Sequence, residues 1–105
     1  MKKDISEIIK KIINNLGYEI EEVTVSKSNR PDLCDFQCND IFKLAKENHK
    51  NPIELGEEIV NSINNYEEFN AFFKEVTFAR PGFINIKVSN DLINKYLKII
   101  KFLGN

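Results

Sequence analysis

The chain has 105 residues, of which 42% are hydrophobic and 30% are charged, a balance typical of one small globular domain and not of a disordered or collagen-like chain. Its 15 basic and 16 acidic residues leave a net charge of −1, which excludes tight non-specific binding of polyanions but leaves room for one local nucleic-acid patch. No apolar run approaches the roughly 18 residues of a membrane span, and the charged N-terminus lacks the apolar stretch of a signal peptide.

Residues that bind metals or perform catalysis are scarce. A single histidine, His49, and two cysteines, Cys34 and Cys38, cannot supply the usual four-ligand zinc site. The cysteines are about 13 Å apart if they lie on one strand, too far for a disulfide, so we expect buried thiols in a reducing cytoplasm. His49 is expected to be a solvated loop residue. No phosphate-binding loop, dinucleotide fingerprint, nucleophile elbow or carboxylate pair is present, so we expect neither a catalytic site nor a cofactor within these residues.

The chain opens with an amphipathic helix, predicted at about residues 4–16. Asp4 is the expected N-cap, with Glu7 completing a weak capping box, and Gly17 suits the left-handed position after the helix. Apolar residues recur at helical spacing and form one stripe, which comprises Ile5, Ile8, Ile9, Ile12, Ile13 and Leu16.

Two strands are predicted next, on either side of a loop at Pro31. Val23 and Val25 alternate with polar residues, which is the period of a half-buried strand. In the segment LCDFQCN the alternation resumes, with one face inward and the other outward. The inward residues are Cys34, Phe36 and Cys38, and the outward residues are Asp35, Gln37 and Asn39.

Two helices follow. Asn39 or Asp40 is the expected cap of a short helix that carries Ile41, Leu44 and Ala45. The next helix has a strong start signal, because Asn51 can cap it and Pro52 suits its first position. Its apolar side extends to about residue 64, and the stretch NNYEEFNAF is ambiguous between a last turn and a loop.

The last third of the chain predicts a hairpin and a final helix. The segment KEVTFAR predicts a strand, Pro81-Gly82 a tight turn, and FINIKVS a second strand. Ser89 or Asn90 is the expected cap of the final helix, whose apolar stripe comprises Leu92, Ile93, Tyr96, Leu97, Ile100 and Leu103. The element order α-β-β-α-α-β-β-α predicts a two-layer α/β sandwich over residues 1–105, with helices on one face of a four-stranded antiparallel sheet and the other face open.

The outer face of the last strand is the candidate site. If Ile84, Ile86 and Val88 point to the core, alternation turns an aromatic ring, an amide and a cation outward, at Phe83, Asn85 and Lys87. Such a set can stack on a splayed base, hydrogen-bond its edge and contact phosphate. The competing interpretation is that Phe83 packs under a loop or a cross-strand neighbour, since aromatic residues are common in strands.

Other polar residues could extend this site. Arg80, before the Pro81-Gly82 turn, could add a second cation, and Gln37 and Asn39 could add amides from the first strand pair. For Asn39, capping of the following helix is the favoured alternative.

Three stretches together resemble one family: the leading amphipathic helix, DFQCNDIFKLAKENHKNPIELGEEIV, and the strand pair around ARPGFINIKVS. Over about residues 1–100 they are similar to the N-terminal additional domain of arginyl-tRNA synthetase. The resemblance implies a two-layer module that docks on the elbow of tRNA(Arg) and recognises a D-loop base. It also implies that the strand after the proline-glycine turn supplies the aromatic residue and the amide, here Phe83 and Asn85. Family members often have tyrosine at the aromatic position, and Phe83 keeps the stacking face without the hydroxyl.

The resemblance does not extend to catalysis. The family's catalytic domain carries an HIGH-like signature with two histidines, whereas this chain has one, and the catalytic and anticodon-binding domains are not among these residues. The segment is therefore expected to be a monomeric, cytoplasmic tRNA-binding module. Its partners would be tRNA(Arg) and the catalytic body of the same enzyme, where ATP and arginine are used, and no membrane is implied. The alternative is a protein-interaction or small-ligand module on a similar sandwich, which predicts an apolar groove on the open sheet face.

Overall fold

The computed structural model describes residues 2–67, 73–88 and 100–104. Residues 100–103 are helical, whereas the predicted beginning of that last helix, residues 89–99, lies outside the described residues. Besides that segment, the described residues contain helices α1 (Lys2–Asn15), α2 (Ile41–Glu47) and α3 (Pro52–Asn65), and strands β1 (Val25–Lys27), β2 (Phe36–Cys38), β3 (Phe73–Ala79) and β4 (Phe83–Val88). None of the helices in the described ranges is long and apolar enough to cross a membrane.

The strands form one four-stranded sheet in the order β1-β2-β4-β3, and every neighbouring pair is antiparallel. Two hairpins, β1-β2 and β3-β4, therefore meet in the middle of the sheet, where β2 pairs with β4. Helix α1 packs on β1, and α3 packs on β3 and β4 and contacts both other helices. The predicted four-stranded antiparallel α/β sandwich is confirmed.

The core lies between the sheet and these helices. On the sheet side, Ile84 and Ile86 have no exposed area, and on the helix side the α1 stripe is equally buried. Burying each such side chain stabilises the fold by about 1.5–3 kcal/mol. Two residues assigned to the apolar stripes are exceptions, since Leu16 is 36% exposed and Ile100 is 46% exposed. The isoleucines of α1 in the core are Ile5, Ile8, Ile9, Ile12 and Ile13.

Local signals explain where two of the helices begin and end. The side chain of Asn51 accepts hydrogen bonds from the backbone N–H groups of Ile53 and Glu54, which confirms the predicted cap of α3. Gly17, at a φ of 100°, takes the left-handed conformation after α1. The prediction for the start of α1 is wrong, because the helix begins at Lys2 and Asp4 lies in its first turn. A carboxylate there still interacts favourably with the helix dipole.

The segments just before β1 and just before α2 differ from the prediction. Val23 is buried but lies before β1. The next N–H group, that of Thr24, donates a 2.7 Å hydrogen bond to Oδ2 of Asp40 and does not pair with a neighbouring strand. The N-cap residue of α2 is Asp40, whose side chain makes no capping hydrogen bond. Asn39 is exposed and precedes that position, so the interpretation of Asn39 as the helix cap is wrong.

Candidate nucleic-acid interface

Strand β4 has two chemically different faces. Ile84 and Ile86 are fully buried, whereas Phe83, Asn85 and Lys87 are half-buried on the opposite face. The ring of Phe83 lies outside the core cluster that the described residues form. Its cross-strand partner on β3 is Ala79, and neighbouring residues cover part of Phe83. The alternation of the two faces is therefore as predicted, and the ring of Phe83 lies outside the core with only part of its surface exposed.

The turn before β4 places a second aromatic ring beside the site. Gly82 is buried, and a Cβ atom there would lie 2.7 Å from a ring carbon of Phe42, so only glycine lets that ring lie against the turn. Phe42 is 45% exposed on the first turn of α2. Sequence reasoning missed this contact, although one signal was available. Phe42 lies off the apolar stripe of α2, which comprises Ile41, Leu44 and Ala45. Arg80, by contrast, is exposed where it was expected, at the turn.

A row of polar residues crosses the outer face in the middle of the sheet. The strand registers align Ser26, Gln37, Asn85 and Thr77 on β1, β2, β4 and β3. Within this row, Nε2 of Gln37 donates a 2.9 Å hydrogen bond to Oδ1 of Asn85. Both amides are half-buried. Alternation predicted that each would face outward, but only the register of β2 on β4 brings them into contact.

Asn39 does not join this amide row. It is exposed one residue beyond the end of β2. Because Cys38 pairs with Ile84, the direction of β2 carries Asn39 toward the Phe83 end of β4. The structure thus places Gln37 and Asn85 together and leaves Asn39 at the margin of the site.

Acidic residues of both neighbouring strand segments lie near Lys87 in the sheet, at the other end of β4. Glu75 is its cross-strand partner on β3, and the carboxylate of Asp35 accepts a 2.8 Å hydrogen bond from the N–H of Val88, the next residue. The pKa of Asp32 is lowered, chiefly by a hydrogen bond from Arg30 and to a smaller extent by the charge of Lys87. The positive charge of Lys87 is therefore partly offset by its neighbours.

An acidic groove runs along α2, the helix that also carries Phe42. It has a volume of about 350 Å³ and lies between the segment 19–22 and α2. Lys43 is the basic residue that lines it. The five carboxylates would repel phosphate groups, so a nucleic acid is expected to avoid this groove. They belong to Glu19, Glu21, Glu22, Asp40 and Glu47. No group of three or more His, Cys, Asp or Glu side chains in the described part of the chain could hold a metal ion.

The comparisons with known proteins all match this chain to one family. Residues 1–88 match the family model described as the arginyl tRNA synthetase N terminal domain. The chain is 38% identical over 95 residues to the arginine–tRNA ligase of Alkaliphilus oremlandii, and 37% identical over 102 residues to that of Francisella tularensis. These alignments cover 90% and 93% of this chain but only 16% and 17% of the two relatives.

Solved structures show the same likeness. The arginyl-tRNA synthetase of Plasmodium falciparum superposes with a TM-score of 0.71 at 27% identity, covering 94% of this chain and 18% of that one. The Thermus thermophilus arginyl-tRNA synthetase superposes with a TM-score of 0.68 at 20% identity, which supports the fold alone, and covers 85% of this chain and 14% of that one. In each case the present residues span less than a fifth of the relative's length.

Proposed function

Because the chain belongs to the family of arginyl-tRNA synthetase N-terminal domains, we propose that it is a tRNA-binding module that contacts the elbow of tRNA(Arg) and one base of its D-loop. The observation that carries this proposal is the outward pair on β4, where the ring of Phe83 lies two residues from the amide of Asn85. Through this contact the domain would support arginine attachment by the catalytic body of the same enzyme.

The chemistry of the pair suits an unstacked base. An aromatic face can stack on any base and contributes about 1–3 kcal/mol. The amide two residues further along the strand points to the same face and can hydrogen-bond the edge of that base. Phe83 would therefore provide most of the affinity, and Asn85 would provide the discrimination between bases.

Phosphate contacts are proposed at the turn and not along the whole strand. Arg80 is exposed beside Phe83, whereas Lys87 lies near acidic residues of the neighbouring strand segments and would attract phosphate less strongly. With a net charge of −1, the domain alone should bind weakly and with a shallow dependence on salt. Linked to a catalytic body that also holds the tRNA, the same contact would gain from a high effective concentration.

The remaining parts of the proposal concern partners and chemistry outside these residues. ATP and arginine would be used by the catalytic body, and this domain would need no cofactor of its own. We propose a single monomeric domain over residues 1–105 that works in the cytoplasm, a location with which its two free, buried cysteines agree.

A titration of a tRNA(Arg) transcript into the ¹⁵N-labelled chain tests the proposal. Phe83→Ala should weaken binding about 5- to 150-fold, which corresponds to about 1–3 kcal/mol for the lost stacking contact. Asn85→Ala should weaken it about 2- to 12-fold, which corresponds to about 0.5–1.5 kcal/mol for the lost hydrogen bond. Leu33→Ala is the matched control, because it removes an exposed apolar side chain, 54% exposed, from the loop at the opposite end of the sheet. Equal affinities for all four proteins would refute the assignment of the pair.

The alternative of a protein-interaction or small-ligand module predicts an apolar groove on the open sheet face. The polar row through Gln37 and Asn85 argues against such a groove. The same titration separates the two functions, because a protein-binding face would show no shifts at Phe83 and Asn85 when tRNA is added.

A further inference from the structure

We infer that Gln37 is a positioning residue that couples its own amide to that of Asn85, so that the two side chains present one recognition edge with a hydrogen-bond donor next to an acceptor. This inference rests on the proposed function and concerns how the same site distinguishes bases.

The hydrogen bond between the two amides determines which groups remain for a ligand. An asparagine amide carries an acceptor oxygen and a donor amino group, and a half-turn about its last bond exchanges them. In the structure the amino group of Gln37 donates to Oδ1 of Asn85 at 2.9 Å. The bond therefore leaves the amino group of Asn85 as a donor and the oxygen of Gln37 as an acceptor. If the Asn85 amide turned alone, two amino groups would face each other without an acceptor between them.

The backbone holds the two residues in this relationship. Gln37 and Asn85 are directly paired on β2 and β4, the two inner strands of the sheet. Ser26 and Thr77 continue the same row on the outer strands. Directly opposed side chains in antiparallel strands have Cβ atoms about 4.5–5.5 Å apart, which is close enough for the two amides to form this hydrogen bond.

The paired edge defines the class of ligand. It is complementary to a base edge that offers an acceptor next to a donor, as on the Watson–Crick side of an unpaired base. It is not complementary to an edge with acceptors alone, such as N7 and O6 of guanine, which suits arginine. Without Gln37, the Asn85 amide could turn freely and would accept bases of either polarity. Gln37 should therefore act on the preference between bases more than on affinity.

The experiment first identifies the D-loop position at which a base change weakens binding to the unaltered chain but not to Asn85→Ala. Transcripts with each of the four bases at that position are then titrated into Gln37→Met, Gln37→Glu and the unaltered chain. Gln37→Met should reduce the ratio between the best and worst base about tenfold, because one neutral hydrogen bond no longer orients the amide. Gln37→Glu should change which base is preferred, because a carboxylate turns the amino group of Asn85 toward itself. Leu33→Ala, in the loop between β1 and β2, is the control and should leave the ratio unchanged.

The outcomes separate the two proposals. If no D-loop position meets the first criterion, the proposed function fails and the inference fails with it. If a position is found but both Gln37 variants keep the original ratio, Gln37 is not a positioning residue and the proposed function stands. A variant that does not fold is replaced by a measurement on the unaltered chain. There, the side-chain amino protons of Gln37 should exchange with solvent more slowly than those of the exposed Asn39, and equal rates would overturn the inference.

Discussion

The two faces of β4 place stability and recognition on alternate residues of one six-residue strand. Ile84 and Ile86 have no exposed area and join the core, whereas Phe83, Asn85 and Lys87 are half-buried on the other face. The difference shows that one strand can be essential to the fold and still present a polar surface. It also shows why the register matters, because a slip of one residue would exchange the two faces completely.

The largest expected effect comes from the inner face. Ile86→Ala should lower the free energy of unfolding by about 2–5 kcal/mol, because it removes buried methyl and methylene groups and leaves a cavity. Ile100→Ala, at a residue that is 46% exposed, is the matched control and should cost much less. Chemical denaturation followed by circular dichroism measures both. Equal losses would contradict the assignment of Ile86 to the core.

Truncation of a side chain on the outer face should affect tRNA binding strongly and the free energy of unfolding less. Phe83→Ala should weaken tRNA(Arg) binding by about 1–3 kcal/mol while lowering the free energy of unfolding by less than Ile86→Ala does. Phe83→Tyr keeps an aromatic face and should retain most of the affinity. Titration and denaturation of the same protein samples give the two quantities. If Phe83→Ala unfolds as readily as Ile86→Ala, the two faces are not separate in function.

A thiol on the inner face of β2 should give a smaller, pH-dependent effect. Burial raises the pKa of Cys38 from 9.0 to about 12, so the folded chain keeps a proton that the unfolded chain loses. The free energy of unfolding should therefore fall as the pH rises from about 9 to about 12, by at most about 1.4 kcal/mol per pH unit for one proton. Below pH 9 this contribution is fully present.

Denaturation at several alkaline pH values, compared with Cys38→Ala, isolates this contribution because other groups titrate equally in both proteins. The unaltered chain should show the steeper decline. Identical slopes would mean that the Cys38 thiol is as accessible to water as a thiol on the outer face.

The smallest expected effect is on the salt dependence of tRNA binding, which should differ between two cations near the outer face. Arg80→Gln should reduce the slope of log affinity against log salt by about 0.7–0.9, the value for one lost phosphate contact. Lys87→Gln should reduce it less, because Lys87 is paired across the sheet with Glu75, and Asp35 holds the backbone of the next residue. Titrations at three salt concentrations measure the slopes. A larger change for Lys87→Gln would move the phosphate path from the turn to the far end of β4.

The sequence by itself determined the parts of this protein that depend on neighbours along the chain. The period of the isoleucines indicated the buried face of α1, and alternation in FINIKVS separated Ile84 from Phe83 and Asn85. The cap at Asn51 was equally visible, because its partners lie two and three residues away. Local patterns suffice in such cases since helices and strands present their side chains with fixed periods.

Tertiary structure decided what depends on residues far apart in the chain. The hydrogen bond between Gln37 and Asn85 joins residues 48 positions apart and needs the register of β2 on β4. The contact of Phe42 with Gly82 needs α2 to lie beside the turn. Asp40 occupies the N-cap position of α2, but its carboxylate accepts a hydrogen bond from the distant Thr24 and makes no capping bond. Periodicity indicates which way a side chain points, but the opposing side chain depends on how separate elements pack, and that packing is a property of the whole fold.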